Sequence, residues 1–429
     1  MRHERGEGAA GACARQGLCL SEAGGPPSAS PDHLKADWRR VVGVLGVTQI
    51  LAWGSSYYLP AVLARPIAED TGWPLPWVVG GLSLGLVVSG VASPRVGRAI
   101  QAQGGRRVLA ASSALIGLGL LVLGLAPTLP LYLAAWLVIG SGMGAGLYDA
   151  AFATLGRYYG QGARRAIVWL TLFGGFASTV CWPLSAFFLS HLGWRGACFA
   201  YAAIQLFLAL PLHLLALPKV GNPIAADGVD RVARSADGPL VPHDARLRFI
   251  LLATAIAVAS AVSATVSVHL LAFLQAKGLA LAAAVALGAM VGPAQVTARV
   301  VELVFGRYYH PIFTKLAATS LVATGLALLL LDIRVVAVAL VAYGAGIGIE
   351  SIARGTLPLV LFGAERYAAL MGRIAFPSFL LQALAPTLAA LLLAHGGVGA
   401  TLGVLVVVAV ANVGLTALVG ILSRLRGAL

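Results

Sequence analysis

Long apolar runs separated by short polar breaks organise the chain from Trp38 onward. Runs such as 41–63 and 335–349 are long and apolar, many of them without a polar face, and no soluble core is large enough to bury so many such helices. A helix needs ~20 apolar residues to cross the hydrocarbon layer. Closed barrels also span membranes but read as short alternating segments, and these runs do not alternate. The pattern predicts about twelve spanning helices, at 41–63, 75–96, 108–127, 131–154, 166–190, 197–217, 249–274, 279–301, 312–331, 335–352, 368–394 and 399–422. The fold class that follows is an all-α integral membrane protein, with the lipid bilayer as its solvent.

Composition agrees. Hydrophobic residues make up 59% of the chain and charged residues 11%, with a mean hydropathy of +0.88. A soluble chain of this length carries roughly twice that charge. The net charge of +14 raises the question of nucleic acid, but the charges sit singly or in pairs between the predicted spans, as topology determinants do. Arg39, Arg40, Arg95, Arg98, Arg106, Arg107, Arg157, Arg164, Arg165, Arg307, Lys315, Arg354, Arg366 and Arg373 fall at one set of alternate span ends, with Arg424 and Arg426 at the chain end. The other set carries only Arg65, Arg195, Lys277 and Arg334, some beside Glu69, Asp70 and Asp332. That asymmetry and the even span count predict both termini in the cytoplasm of a bacterial-type inner membrane. Cys13, Cys19, Cys181 and Cys198 show no metal-ligand spacing and read as reduced, packed residues.

Four regions follow. Residues 1–37 are rich in Gly, Ala, Pro and Ser without an apolar core segment, and read as a disordered cytoplasmic tail rather than a signal peptide. Residues 38–217 and 247–429 are two six-helix bundles, joined by the polar, proline-bearing linker 218–246. The halves echo each other. Gly140, Gly142, Gly144 and Gly146 in the fourth span are matched about 200 residues later by Gly344, Gly346 and Gly348 in the tenth, and Arg95 is matched by Arg299. Glycine ladders also serve simply to let helices pack closely, but coincident offsets favour parallel repeats, one of the ways secondary transporters are built.

The loop after the second span reads Gly97-Arg98-Ala99-Ile100-Gln101-Ala102-Gln103-Gly104-Gly105-Arg106-Arg107. This resembles the loop signature of the major facilitator superfamily, with Gly97, Gly104, Arg106 and Arg107 matching. The family's acid is replaced by Gln101, so the charge-paired inner lock that the resemblance implies is lost or carried by other contacts. Gly193-Trp194-Arg195 followed by Phe199 is also similar to the superfamily. Pro60, Pro66, Glu69 and Gly72-Trp73 look like its monocarboxylate and oxalate/formate branch, whose acid ahead of the first-span glycines is missing here. The arginine of drug/proton antiporters is absent from 136–140, and Trp182-Pro183 stands where they carry Gly-Pro. The resemblance implies two pseudo-symmetric six-helix bundles rocking about a central site, lined by the first, fourth, seventh and tenth spans.

Charges inside the hydrocarbon cost at least ~2.5 kcal/mol on insertion scales and are functional candidates by default. They are Asp149, His269, Arg299, Glu302, Glu350, Arg354 and Arg373. Arg299 with Glu302 and Glu350 with Arg354 have the spacing of same-face pairs, which are either plain structural pairs or switchable ones. Asp149 has no basic partner one turn away, so it reads as a proton-coupling carboxylate or a helix-bridging hydrogen bonder. His269, Glu302 and Glu350 are further proton-coupling candidates, and Arg373 reads as snorkelling to the surface or facing the cavity. Gln49, Trp53, Ser56 and Tyr57 form one face of the first span and, with Tyr148, Trp182, Ser263, Ser267, Arg299 and Arg354, make the substrate-binding candidates. Gly97, Gln101, Gly104, Arg106 and Arg107 make the gating loop.

No P-loop lysine, His-Glu-x-x-His or cysteine–histidine cluster is present, so neither an enzyme nor a cofactor or metal protein is predicted. The reading is a monomeric secondary transporter of a small solute, driven by an ion gradient, with protons as the expected coupling ion. The basic residues favour a small organic anion or monocarboxylate. The alternatives are an efflux pump for a drug or metalloid, then an integral-membrane enzyme or a sensor.

Overall fold

The structure is a computed structural model in which residues 1–30 of the expected tail, most of the expected linker, 332–334 and 425–429 fall outside the described residues, while 31–37, expected in the tail, begin the first helix.

 The three described stretches are thus 31–219, 245–331 and 335–424. Every element in them is helical.

The described residues form helices for twelve spans, though several depart from single unbroken helices. The first is divided into Pro31–Ser55 and Leu59–Thr71. Pro60 has no N–H to give the Ser56 carbonyl, so Leu59 N takes that carbonyl instead (3.3 Å) and the chain turns through 56–58. The second and third spans are Leu75–Gln103 and Gly105–Leu125, hinged at Gly104, whose φ of 80° suits glycine alone. The fourth is divided at Leu147 into Leu129–Gly146 and Tyr148–Tyr159. The fifth comprises Ala163–Gly175 and the first part of Ala177–Ile204, which breaks at Gly193 (φ 68°) to begin the sixth. The sixth continues through π-helical turns to Ala216.

In the second half, the seventh span is Arg246–Ala276. The eighth is divided into Leu281–Gly288 and Val291–Phe305, where Pro293 leaves the Ala289 carbonyl without its helical donor. Pro311–Leu331 and Val336–Phe362 are the ninth and tenth, and Tyr367–Arg424 holds the last two on either side of Gly397 (φ 71°). Large apolar side chains such as Phe207, Leu331 and Val407 stand exposed on the outside of the molecule, as lipid-facing residues must.

The glycine ladders pack alike in the two halves. A Cβ on Gly140 or Gly144 would strike the backbone of Gly85 or Ser89 in the second span, and one on Gly142 would strike Ile116 in the third. Correspondingly, Gly344 and Gly348 lie against Val291 and Gln295 in the eighth span, and Gly346 against Ala318 and Val322 in the ninth. The fourth and tenth spans thus hold the same place in each half. Cys181 and Cys198 are free thiols in the buried interior.

Buried side chains fall into three clusters whose distribution is uneven. At the end bearing the basic loops, one cluster joins both halves, from Val41, Phe152 and Ile167 to Leu252, Leu357, Tyr367 and Ile374. Toward the opposite end, the second half has its own cluster, and the first half's cluster takes in only Ala375, Phe379 and Ala383 of the eleventh span. The halves are therefore sealed together at the basic end and largely separate at the other.

Candidate functional site

The breaks in the first, fourth and fifth spans meet around a group of aromatic rings. Trp53 lies 5.2 Å from Tyr148, 5.3 Å from Tyr57 and 6.0 Å from Tyr58 between ring centroids, and Tyr58 lies 6.2 Å from Trp182. Tyr148 stacks on Phe152 one turn along its own helix (5.1 Å, 9° between planes). Pairs at these separations stabilise one another beyond simple burial. Trp182 is exposed, and with Ala61, Val62, Ser178 and Thr179 it lines a cavity of about 530 Å³ beside this group. Discontinuous helices at mid-depth expose backbone groups to a ligand, which continuous ones cannot do.

Arg299 reaches this group from the eighth span. It is buried; its Nε donates to the Gly348 carbonyl (3.1 Å), and one terminal nitrogen lies 3.5 Å from Gln295 Oε1. Its other terminal nitrogen, Nη1, is buried with no hydrogen-bond partner among the described residues. That nitrogen points at the fifth span, where a Cβ on Gly175 would come within 2.0 Å of it. Gly174 gives similar room to the Tyr148 hydroxyl. A buried guanidinium N–H without a partner carries a desolvation cost of ~1–3 kcal/mol or more, so this donor stands unsatisfied in the arrangement seen here. The expected same-face pair with Glu302 does not form. Glu302 accepts instead from Thr314 (2.8 Å) and from Tyr309, because the chain after the eighth span folds back over it.

A second polar group ties the halves together. Arg354 donates through Nε and Nη2 to the two carboxylate oxygens of Asp149 (2.9 and 2.7 Å), and through Nη1 to Ser260 (3.0 Å). Asp149 therefore has a basic partner after all, supplied by the other half of the chain. Glu350, expected to pair with Arg354, pairs with Lys315 of the ninth span, whose side chain is fully buried. Both corrections have one cause: helical spacing ranks neighbours on the same helix, and the winning partners lie on adjacent helices.

Several predicted binding residues are spent on packing here. The break at Leu147 frees the Gly146 carbonyl, since Ala150 N bonds to Leu147 instead, and Gln49 fills the vacancy (2.5 Å). Gln49 also accepts from Trp53 Nε1 (3.2 Å), which fixes the indole. Ser56 is buried and donates to the Ala52 carbonyl of its own helix. Ser263 is half-buried and Ser267 exposed on the seventh span, and Arg373 is exposed. His269 donates to the Pro386 carbonyl (2.9 Å) and so joins the seventh span to the eleventh. Gly175 carries no sequence signal beyond its missing side chain, whereas Ser260 belongs with Ser263 and Ser267 to a polar row on the seventh span, and only its bond to Arg354 is new.

The basic end is closed by contacts between the halves. Gly97 and Gly372 pack so tightly that a Cβ on Gly372 would lie 2.3 Å from the Ser93 carbonyl. Gln101 donates to the Glu365 carbonyl (2.6 Å), and Arg164 donates to the carbonyls of Gly306 and Tyr309. Arg106 donates to Leu214, within its own half. Beside Arg164, burial and that positive charge push the His310 pKa below its usual 6.5.

The family model described as Major Facilitator Superfamily matches residues 45–372. Monocarboxylate transporter 13 of Bos taurus is 31% identical over 191 residues, which is 42% of this chain and 42% of that one. Monocarboxylate transporter 11 of Mus musculus is 37% identical over 164 residues, 37% of this chain and 34% of that one. The matched segments thus span less than half the length of these relatives. Among solved structures, the human organic anion transporter MFSD10 (TETRAN) superposes with a TM-score of 0.69 at 16% identity, covering 88% of this chain and 99% of that one. The proton:xylose symporter XylE gives 0.68 at 13% identity, covering 88% and 95%. The match across most of the chain and the shared fold agree with the twelve broken and paired spans described above: this chain belongs to the major facilitator superfamily, whose members are transporters and not enzymes.

Proposed function

We propose that this protein carries a small organic anion, of the monocarboxylate class, across the membrane by alternating access coupled to protons. The observation that carries the reading is the buried, unpartnered Nη1 of Arg299, set against Gly175 at the break in the fifth span, next to the glycine that makes room for the Tyr148 hydroxyl. A carboxylate there accepts from the free guanidinium edge, a charge-assisted contact of ~1.5–3 kcal/mol. Trp53, Tyr57, Tyr58 and Tyr148 flank it with apolar surface and hydroxyls. The partial likeness to monocarboxylate transporters supports the same substrate class.

In this reading the basic loops face the cytoplasm, and the sealed basic end makes the structure an outward-facing state. Inward opening separates Gln101 from Glu365, Arg164 from Gly306 and Tyr309, and Asp149 from Arg354. A proton on Asp149 removes one charge of that last pair and lowers the cost of parting it. Asp149 is thus the coupling group, and His269, Glu302 and Glu350 serve the packing around it. The gating loop of Gly97, Gln101, Gly104, Arg106 and Arg107 sets the closed end, with Gln101 bonding a carbonyl where a carboxylate would pair with a charge.

Counterflow in proteoliposomes tests the proposal. Labelled lactate or pyruvate should accumulate in vesicles preloaded with the unlabelled acid. Arg299→Gln should lower the rate about tenfold or more, and Arg299→Lys should retain part of it. Wild-type rates with Arg299→Gln would overturn the anion site. The exposed Trp182 and the apolar cavity beside it favour a second reading, export of an apolar toxic compound, which predicts drug-stimulated rather than acid-stimulated counterflow.

A further inference from the structure

A second cavity, of about 530 Å³, lies at the basic end of the first half, away from the aromatic group. Among the described residues its lining includes Arg106, Arg107, Arg157, Lys219 and Tyr158, and no acid. Two contacts fix its walls: Arg106 donates to the Leu214 carbonyl, and the Tyr158 hydroxyl donates to the Pro218 carbonyl (3.3 Å). The Nε of Arg157 is shielded from solvent and has no hydrogen-bond partner among the described residues. Burial pushes the Arg157 pKa down, and no acid among the described residues offsets it.

The third span begins in this cavity. Gly104, Gly105, Arg106 and Arg107 all line it, and the first N–H groups of that 21-residue helix have no intrahelical acceptor. Four cationic side chains, a buried guanidinium N–H and a helix N-terminus therefore converge on one space. Like charges gathered without a counter-ion repel, and an anion relieves them. A carboxylate offers two oxygens and one charge. A phosphate group offers more acceptors around one centre, which suits donors arriving from several directions. Leu214 and Leu215, exposed beside the cavity, supply an apolar flank suited to an acyl chain.

We propose that this cavity binds a phosphate group, carried by an anionic phospholipid or by a soluble phosphate compound. The site is distinct from the transport site and does not depend on which solute is carried. Occupation ties the loop after the second span to the ends of the fourth and sixth, and so stiffens the first half at its basic end.

Native mass spectrometry and thermal unfolding of the purified full chain in neutral detergent test it. One arm adds phosphatidylglycerol against phosphatidylcholine; the other adds pyrophosphate. Saturable, stabilising binding of phosphatidylglycerol alone supports the lipid source, and of pyrophosphate the soluble one. In either case Arg157→Gln and Lys219→Gln should each weaken binding about tenfold. Lys219 is exposed, so its variant keeps the test decisive if Arg157→Gln fails to fold. Binding that is equal in wild type and in the Lys219→Gln protein, or no saturable binding of either compound, would overturn the proposal.

Discussion

Asp149 and Arg354 stand 205 positions apart in the chain, on the fourth and tenth spans, and meet in a two-pronged ion pair across the two halves. The glycine ladders just ahead of them pack in the same way in each half, so the two residues hold nearly matching places in the repeat. A symmetric scaffold thereby acquires opposite charges at one pair of related positions. Both groups are largely removed from solvent, with 7% and 16% of their side-chain surfaces accessible, so removing either strands the other.

Asp149→Asn should therefore cost ~3–5 kcal/mol of interaction at this contact. The expected outcome is loss of proton-driven transport and a shift toward the inward-open form, read by cysteine accessibility at the basic end. The double variant Asp149→Asn/Arg354→Gln should be more stable than either single variant, because no charge is left unpaired. Full gradient-driven transport in Asp149→Asn would remove the coupling role.

Lys315 and Glu350 make a similar argument about stability rather than transport. The Lys315 side chain is wholly buried and Glu350 is its ion-pair partner. Lys315→Met should lower stability by ~3–5 kcal/mol, and Lys315→Met/Glu350→Leu should recover much of it. Thermal unfolding of the purified variants measures both. Equal midpoints for Lys315→Met and the double variant would show that Glu350 finds another partner.

The spans, their lopsided arginines and the internal repeat were legible because lipid imposes length and apolarity on every segment. The repeat needed only matching glycines, whose positions record close helix contacts directly. The ion pairs were not legible. Glu350 lies one helical turn from Arg354, yet each turns to a different helix, and no periodicity along one helix encodes its neighbours. Gln49 shows the same limit. Its place on a polar face suggested the cavity, but the carbonyl freed by the break at Leu147 claims it. Arg299 was legible as a rare buried charge, whereas the Gly175 gap that accommodates it was not.

Gly175→Ala tests that gap. The added Cβ would come within 2.0 Å of Arg299 Nη1, so the guanidinium must move. The neighbouring atom is the end of a long side chain, so the fold should survive with a small change in thermal midpoint. Affinity for a transported anion should fall about tenfold as the donor is displaced. Unchanged affinity would place the anion elsewhere.

The closed basic end also predicts a pH dependence. His310 sits in the turn between the eighth and ninth spans, next to Arg164, which clamps the carbonyls of Gly306 and Tyr309. Burial first, and the Arg164 charge second, depress its pKa below 6.5, so the closed arrangement favours the neutral ring. A depressed folded-state pKa means that the stabilisation is present above pH 6.5 and is lost as the pH falls below it toward the lowered value. Acid on the side of the basic loops should therefore loosen the Arg164 clamp. Crosslinking between cysteines placed at Arg165 and Tyr308 should weaken as the pH falls below 6.5 in the parent protein. In His310→Gln, which cannot titrate, that pH dependence should flatten, and an unchanged profile would assign the effect to another group.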